Sequence, residues 1–101
     1  MFDKLFAAQQ KAEEIKKRLD TVSVTGEAEG GKISVTATAN KYITSINISP
    51  DFLKTADKEE LEELLATAVN KALEQADLVS QTEMEAATRD MMGGFGDLLG
   101  K

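Results

Sequence analysis

The sequence predicts an α+β fold ordered as helix, three-stranded antiparallel meander and long helix (α-β-β-β-α), a homodimer with projecting helices. Three observations lead there. Residues 2–19 lack Gly and Pro and place apolar residues at alternating spacings of three and four. Residues 22–48 alternate apolar and polar side chains around two turn signals. Residues 58–92 carry an apolar stripe of helical period with no helix breaker before Gly93-Gly94. At 101 residues the chain fits one domain, 1–101, with an aliphatic, alanine-rich core, since it has four Phe, one Tyr and no Trp.

In the first helix, Leu5, Ala8, Ala12, Ile15, Leu19 and Val22 form a heptad seam that asks for lengthwise packing against another helix. Asp20-Thr21 ends it, and the last seam position falls in the first strand.

The meander, Val22 to Ile48, has almost no freedom. With Gly30-Gly31 and Asn40-Lys41 as two-residue hairpin loops, Val22, Val24, Gly26 and Ala28 face Ala39, Ala37, Val35 and Ile33. The latter four then face Tyr42, Thr44, Ile46 and Ile48. One face is apolar apart from Thr44, and the other is polar apart from Ile43. A one-residue slip would exchange the faces, so the register is strongly specified.

Pro50 stops the third strand, and Asp51 to Ala56 reads as a connecting loop anchored by Phe52 and Leu53. Asp57 with Glu60 has capping-box spacing and opens the second long helix at Lys58. Glu59, Glu60, Glu62 and Glu63 read as a solvated acidic face in preference to a cation site. Leu61, Leu64, Leu65, Ala68, Val69, Ala72 and Ala76 form the stripe, whose alanines let the helix lie close upon a sheet carrying Gly26, Ala28, Ala37 and Ala39. Running to Met92, this helix is about 52 Å long, against about 25 Å for a strand, so more than a third overhangs the sheet. Leu73, Met84, Ala87 and Met91 line the overhang, as a surface either for the first helix of the same chain or for another subunit. Asn70 in mid-helix reads as a satisfied buried amide. Residues 93–101 (GGFGDLLGK) read as a flexible tail, with Phe95, Leu98 and Leu99 as a minor docking motif; the glycines lack the context of a phosphate-binding loop.

Without Cys or His, thiolate and imidazole metal sites, disulfides and the triads built on those residues are excluded. No metal or cofactor is expected, and no enzyme activity. The start has neither a signal peptide nor a membrane span, which points to the cytoplasm and no membrane partner.

The net charge is −6, but the charges are segregated: residues 1–19 hold five basic and three acidic side chains, and residues 57–92 hold three basic and ten acidic. Lys4, Lys11, Lys16, Lys17 and Arg18 are therefore the candidate phosphate contacts, with Lys4, Lys11 and Arg18 recurring every seven residues beside the seam; the alternative is that they solvate the helix and pair with Glu13, Glu14 or the acidic second helix. Lys71 and Arg89 extend the set, and Lys32 and Lys41 offer a second basic location. Both outer strands are unpaired edges, and the helices outreach the sheet, so the monomer is unfinished. Leu5, Ala12, Ile15, Leu73, Met84 and Met91 are the candidate dimer residues.

Val24-Thr25-Gly26, Gly30-Gly31, Val35-Thr36, Ile46-Asn47-Ile48-Ser49-Pro50, Asp57 with Glu60-Leu61-Glu62-Glu63-Leu64, and Ala68-Val69-Asn70-Lys71-Ala72, in that order, resemble the YbaB/EbfC family of bacterial nucleoid-associated proteins. The resemblance covers about Val22 to Ala76. It implies a small cytoplasmic homodimer with helices projecting like tweezers, association with duplex DNA in the nucleoid, and no catalysis. Ser49 and Lys71 stand where the family usually has Asp, the first helix has fewer Met and Gln, and the tail has no proline. DNA bound this way would be held mainly through its backbone with weak sequence preference. The alternative is a dimeric scaffold binding a protein partner through Ile43, Met84, Met91 and the tail.

Overall fold

A computed structural model describes the backbone from Phe2 to Leu99 and the side chains from Leu5 to Arg89. Its elements are α1 (Phe2–Asp20), β1 (Ser23–Ala28), β2 (Ile33–Thr38), β3 (Ile43–Ile48), α2 (Pro50–Thr55) and α3 (Lys58–Leu99). The three strands form one antiparallel sheet in the order β1-β2-β3. This is the α-β-β-β-α order expected, with one short helix added.

The β1–β2 register is the one the pattern requires: Val24 faces Ala37, Gly26 faces Val35 and Ala28 faces Ile33. The loop is the four residues 29–32 where two were expected, with Glu29, Gly30 and Gly31 at φ of 54°, 64° and 92° and the Gly31 and Lys32 amides donating to the Ala28 and Glu29 carbonyls at 3.2 and 3.3 Å; the strand register is unaffected. Burial alternates strictly along β1 and β2. Ile33 and Val35 are fully buried, which removes about 1.5–3 kcal/mol of apolar exposure per side chain.

The second hairpin differs from expectation. The Thr38 amide donates to the Tyr42 carbonyl at 2.8 Å, and the Lys41 amide donates to the Thr38 carbonyl at 2.9 Å, so the loop is the three residues Ala39, Asn40 and Lys41. A two-residue turn needs φ > 0 at both Asn40 and Lys41, and only Lys41 has it, at 69°. Ala37 consequently faces Ile43, where Thr44 was expected, and Thr38 replaces Ala39 as the partner of Tyr42. A bulge between Thr36 and Ala37 in the pairing then skips Thr44 and restores the expected Val35–Ile46 and Ile33–Ile48 pairs. The extra loop residue and the bulge cancel. They also remove both exceptions in the pattern: Ile43 joins the core, and the hydroxyl of exposed Thr44 donates to the Thr36 carbonyl at 3.2 Å.

The segment after β3 is the helix α2, not a loop. Ser49 is its N-cap and Pro50 sits in its first turn, where a missing N–H costs nothing. Phe52 is buried beneath it, but Leu53, expected as a second anchor, is exposed.

Asp57 caps α3, accepting a 2.8 Å hydrogen bond from the Glu60 amide. Ala68, Ala72 and Ala76 are fully buried against the sheet, with Leu61, Leu64, Leu65 and Val69 packed alongside. α3 lies mainly across β1 and β2, so Ile46 on β3 stays half exposed. Asn70 is exposed, contrary to the buried amide expected, because the buried stripe passes through Ala68 and Ala72 on the other side of the helix. The helix continues through Gly93-Gly94 to Leu99, past the expected end at Met92. The molecule measures 64 × 25 × 18 Å, with a radius of gyration of 19.4 Å against about 13 Å for a compact 100-residue domain. The overhang anticipated from strand and helix lengths is therefore present.

Candidate nucleic-acid interface

The last two turns of α1 concentrate the basic charge. Ile15 and Leu19 form a second small cluster with Ala39 and Ala87, which fixes the face that α1 turns to the rest of the chain. The three residues between them, Lys16, Lys17 and Arg18, are exposed. Lys17 and Arg18 occupy the last turn, where the negative end of the helix dipole favours cations.

The β2–β3 loop holds this end of α1 in place. The Asn40 side-chain amide donates to the Lys16 carbonyl at 2.8 Å and to the Asp20 carboxylate at 2.6 Å. The Ala39 amide is shared between the Leu19 carbonyl at 3.2 Å and the Val22 carbonyl at 3.0 Å. Orphan carbonyls at the helix C-terminus thus find donors in a loop twenty or more residues away.

The basic residues differ in how they are engaged. Arg18 is ion-paired to Glu83 on α3. Lys41 pairs with Asp77 at 2.7 Å and Arg89 with Glu85 at 3.8 Å, so α3 supplies the acid each time. Lys11 is half-buried in a groove between α1 and α3 lined also by Ala12, Ile15, Met84 and Ala87. Lys32 lies over the Phe52 ring, 5.6 Å from its centroid. Among the described residues, Lys16 and Lys17 take part in no ion pair. The side chain of Lys4 lies outside the described residues.

Of the candidate dimer residues, Ile15 is buried within the chain and Leu73 is half-buried, whereas Leu5, Ala12 and Met84 are exposed. Met91 lies outside the described side chains, as do Phe95, Leu98 and Leu99 of the tail. Phe6 and Leu78 add to the exposed apolar surface. Ile43, proposed as an outer contact for a protein partner, is turned inward by the bulge.

Sequence reasoning gives Asn40 a turn role only and assigns no contact to Glu83 or Asp77. Glu83 had one signal: it interrupts the stripe one turn from both Val79 and Ala87, residues that pack together with Ile15 and Leu19. Among the described residues no three His, Cys, Asp or Glu side chains gather as metal ligands, and no helix is long and apolar enough to cross a membrane.

The comparisons agree with this architecture. A sequence profile of the YbaB/EbfC DNA-binding family matches residues 1–91. A nucleoid-associated protein of Flavobacterium johnsoniae is 42% identical over 89 residues, covering 88% of this chain and 82% of the relative. A nucleoid-associated protein of Koribacter versatilis is 34% identical over 89% of this chain and 85% of its own length. A crystal structure of an uncharacterized protein from Helicobacter pylori shares the fold at a TM-score of 0.65 and 18% identity, over 77% of this chain and 90% of that one.

Proposed function

The chain belongs to the YbaB/EbfC DNA-binding family, and from that membership we propose that it is a nucleoid-associated protein that binds duplex DNA as a homodimer. The observation that carries the reading on this particular chain is the exposed run Lys16-Lys17-Arg18, held at a fixed helix end, with Lys16 and Lys17 outside every ion pair among the described residues. The run itself holds three cations and no aromatic side chain, so the contacts are with phosphates and the sequence preference is weak. Family membership also argues for a non-enzymatic role at the nucleoid, in the cytoplasm.

Self-association is supported by the exposed apolar residues Leu5, Phe6 and Met84 around the α1–α3 groove and by Ile46 on the uncovered edge strand. A second copy would double the basic run. The test is a mobility shift of duplex DNA at low salt beside a light-scattering mass. The wild type shifts DNA and has twice the chain mass; changing Lys16, Lys17 and Arg18 together to Glu abolishes the shift and leaves the mass unchanged. A wild type that binds no duplex at low salt refutes the DNA reading, and a monomeric mass refutes the dimer.

A further inference from the structure

We propose that Glu83 is an internal competitor for DNA phosphate: it occupies Arg18 in the free protein and thereby sets how tightly the chain holds DNA. The inference rests on the DNA-binding reading and adds a residue to it.

Glu83 stands where packing alone calls for an apolar side chain, because Val79 and Ala87, one turn away on either side, both pack with the cluster of Ile15 and Leu19. At that position it is ion-paired to Arg18, 65 residues away in sequence. The two partners are unequally sheltered: the Glu83 side chain is 26% exposed and that of Arg18 58%. The carboxylate is held on the long helix, while the guanidinium remains open to an incoming anion. A guanidinium takes a carboxylate and a phosphate through the same planar fork, so the two acceptors are alternatives for Arg18. Lys16 and Lys17, with no ion pair among the described residues, make the first contact. Arg18 joins only when a phosphate displaces Glu83.

The experiment titrates a fluorescent duplex by anisotropy over a series of salt concentrations, using the full chain. The variants are Glu83→Gln, Arg18→Gln, the two combined, and Glu59→Gln, which changes net charge equally at the far end of α3. Circular dichroism confirms equal helix content. Glu83→Gln tightens binding about two- to fivefold, the range an exposed ion pair spans. It also steepens the log–log salt slope by about one, as for one further phosphate contact. Glu59→Gln does neither, and Glu83→Gln has no such effect once Arg18 is Gln.

An effect of Glu83→Gln equal to that of Glu59→Gln, weaker binding, or a gain that survives Arg18→Gln overturns the competition. If the wild type binds, and the triple reversal of Lys16, Lys17 and Arg18 abolishes binding while Glu83→Gln changes nothing, only the competition falls. If the wild type does not bind, both readings fall, whether or not Glu83→Gln binds.

Discussion

The backbone of α3 at Ala68 crosses directly over Gly26 of β1: a Cβ built on Gly26 would lie 2.3 Å from the Ala68 carbonyl oxygen and 2.3 Å from the Ala72 amide nitrogen. Neither backbone atom can yield as a side-chain tip would. Gly26→Ala should therefore destabilise the fold by at least about 1–3 kcal/mol, the usual cost of overpacking. A urea midpoint unchanged from wild type would show that α3 does not rest on β1 in this way.

The bulge makes an equally direct prediction about Ile43. In the continuous register this residue would sit on the polar outer face, where a change to Thr alters stability by less than about 0.5 kcal/mol. In the observed register Ile43 packs against the core, so Ile43→Thr should cost about 1–2 kcal/mol. Equilibrium unfolding of that variant distinguishes the two registers.

Asn40 ties the hairpin loop to the end of α1 through two side-chain hydrogen bonds. Asn40→Ala should cost about 1 kcal/mol or more. The loss should be concentrated in α1: amide hydrogen exchange at residues 15–20 quickens while the strands keep their protection. Uniform loss of protection would contradict a local role.

Glu29 has φ of 54°, a left-handed conformation that costs a long side chain about 1 kcal/mol and that Asn tolerates better. Glu29→Asn should raise the midpoint of thermal unfolding by about 2–5 °C. A lower midpoint would mean that the Glu29 side chain contributes more than its backbone strain removes.

If DNA is held by the end of α1, Lys16→Gln and Lys17→Gln should each weaken binding and lower the salt slope by about one, as for a lost phosphate contact. Lys32→Gln, which removes a cation resting on the Phe52 ring, should leave the slope unchanged. The reverse result moves the interface to the sheet.

What the sequence revealed follows from the range of the forces involved. The β1–β2 register was legible because a slip would expose Ile33 and Val35, and the α3 stripe because alanines at 68, 72 and 76 share one face. The Asp57 cap is a local signal and was read correctly. The β2–β3 connection was misread because a three-residue loop and a bulge at Thr44 are individually visible only as a misplaced Thr and a misplaced Ile; the pattern beyond them is the same either way. The sequence of α2 reads as a loop because Pro50 ends a strand as readily as it starts a helix. Pairing of the basic residues with the acidic long helix is an alternative the sequence leaves open, but Glu83 as the partner of Arg18 is not legible in it, since no local rule joins side chains 65 positions apart.

The contact at Gly26 also acts as a fulcrum. From Ala72 to Arg89 the rod extends about 26 Å at roughly 1.5 Å per residue, so a tilt of about 10° at the sheet carries Arg89 some 4–5 Å sideways, on the order of one strand spacing. A methyl group added at position 26 that tilted α3 would thus be felt at the far end of the rod as a displacement of that size.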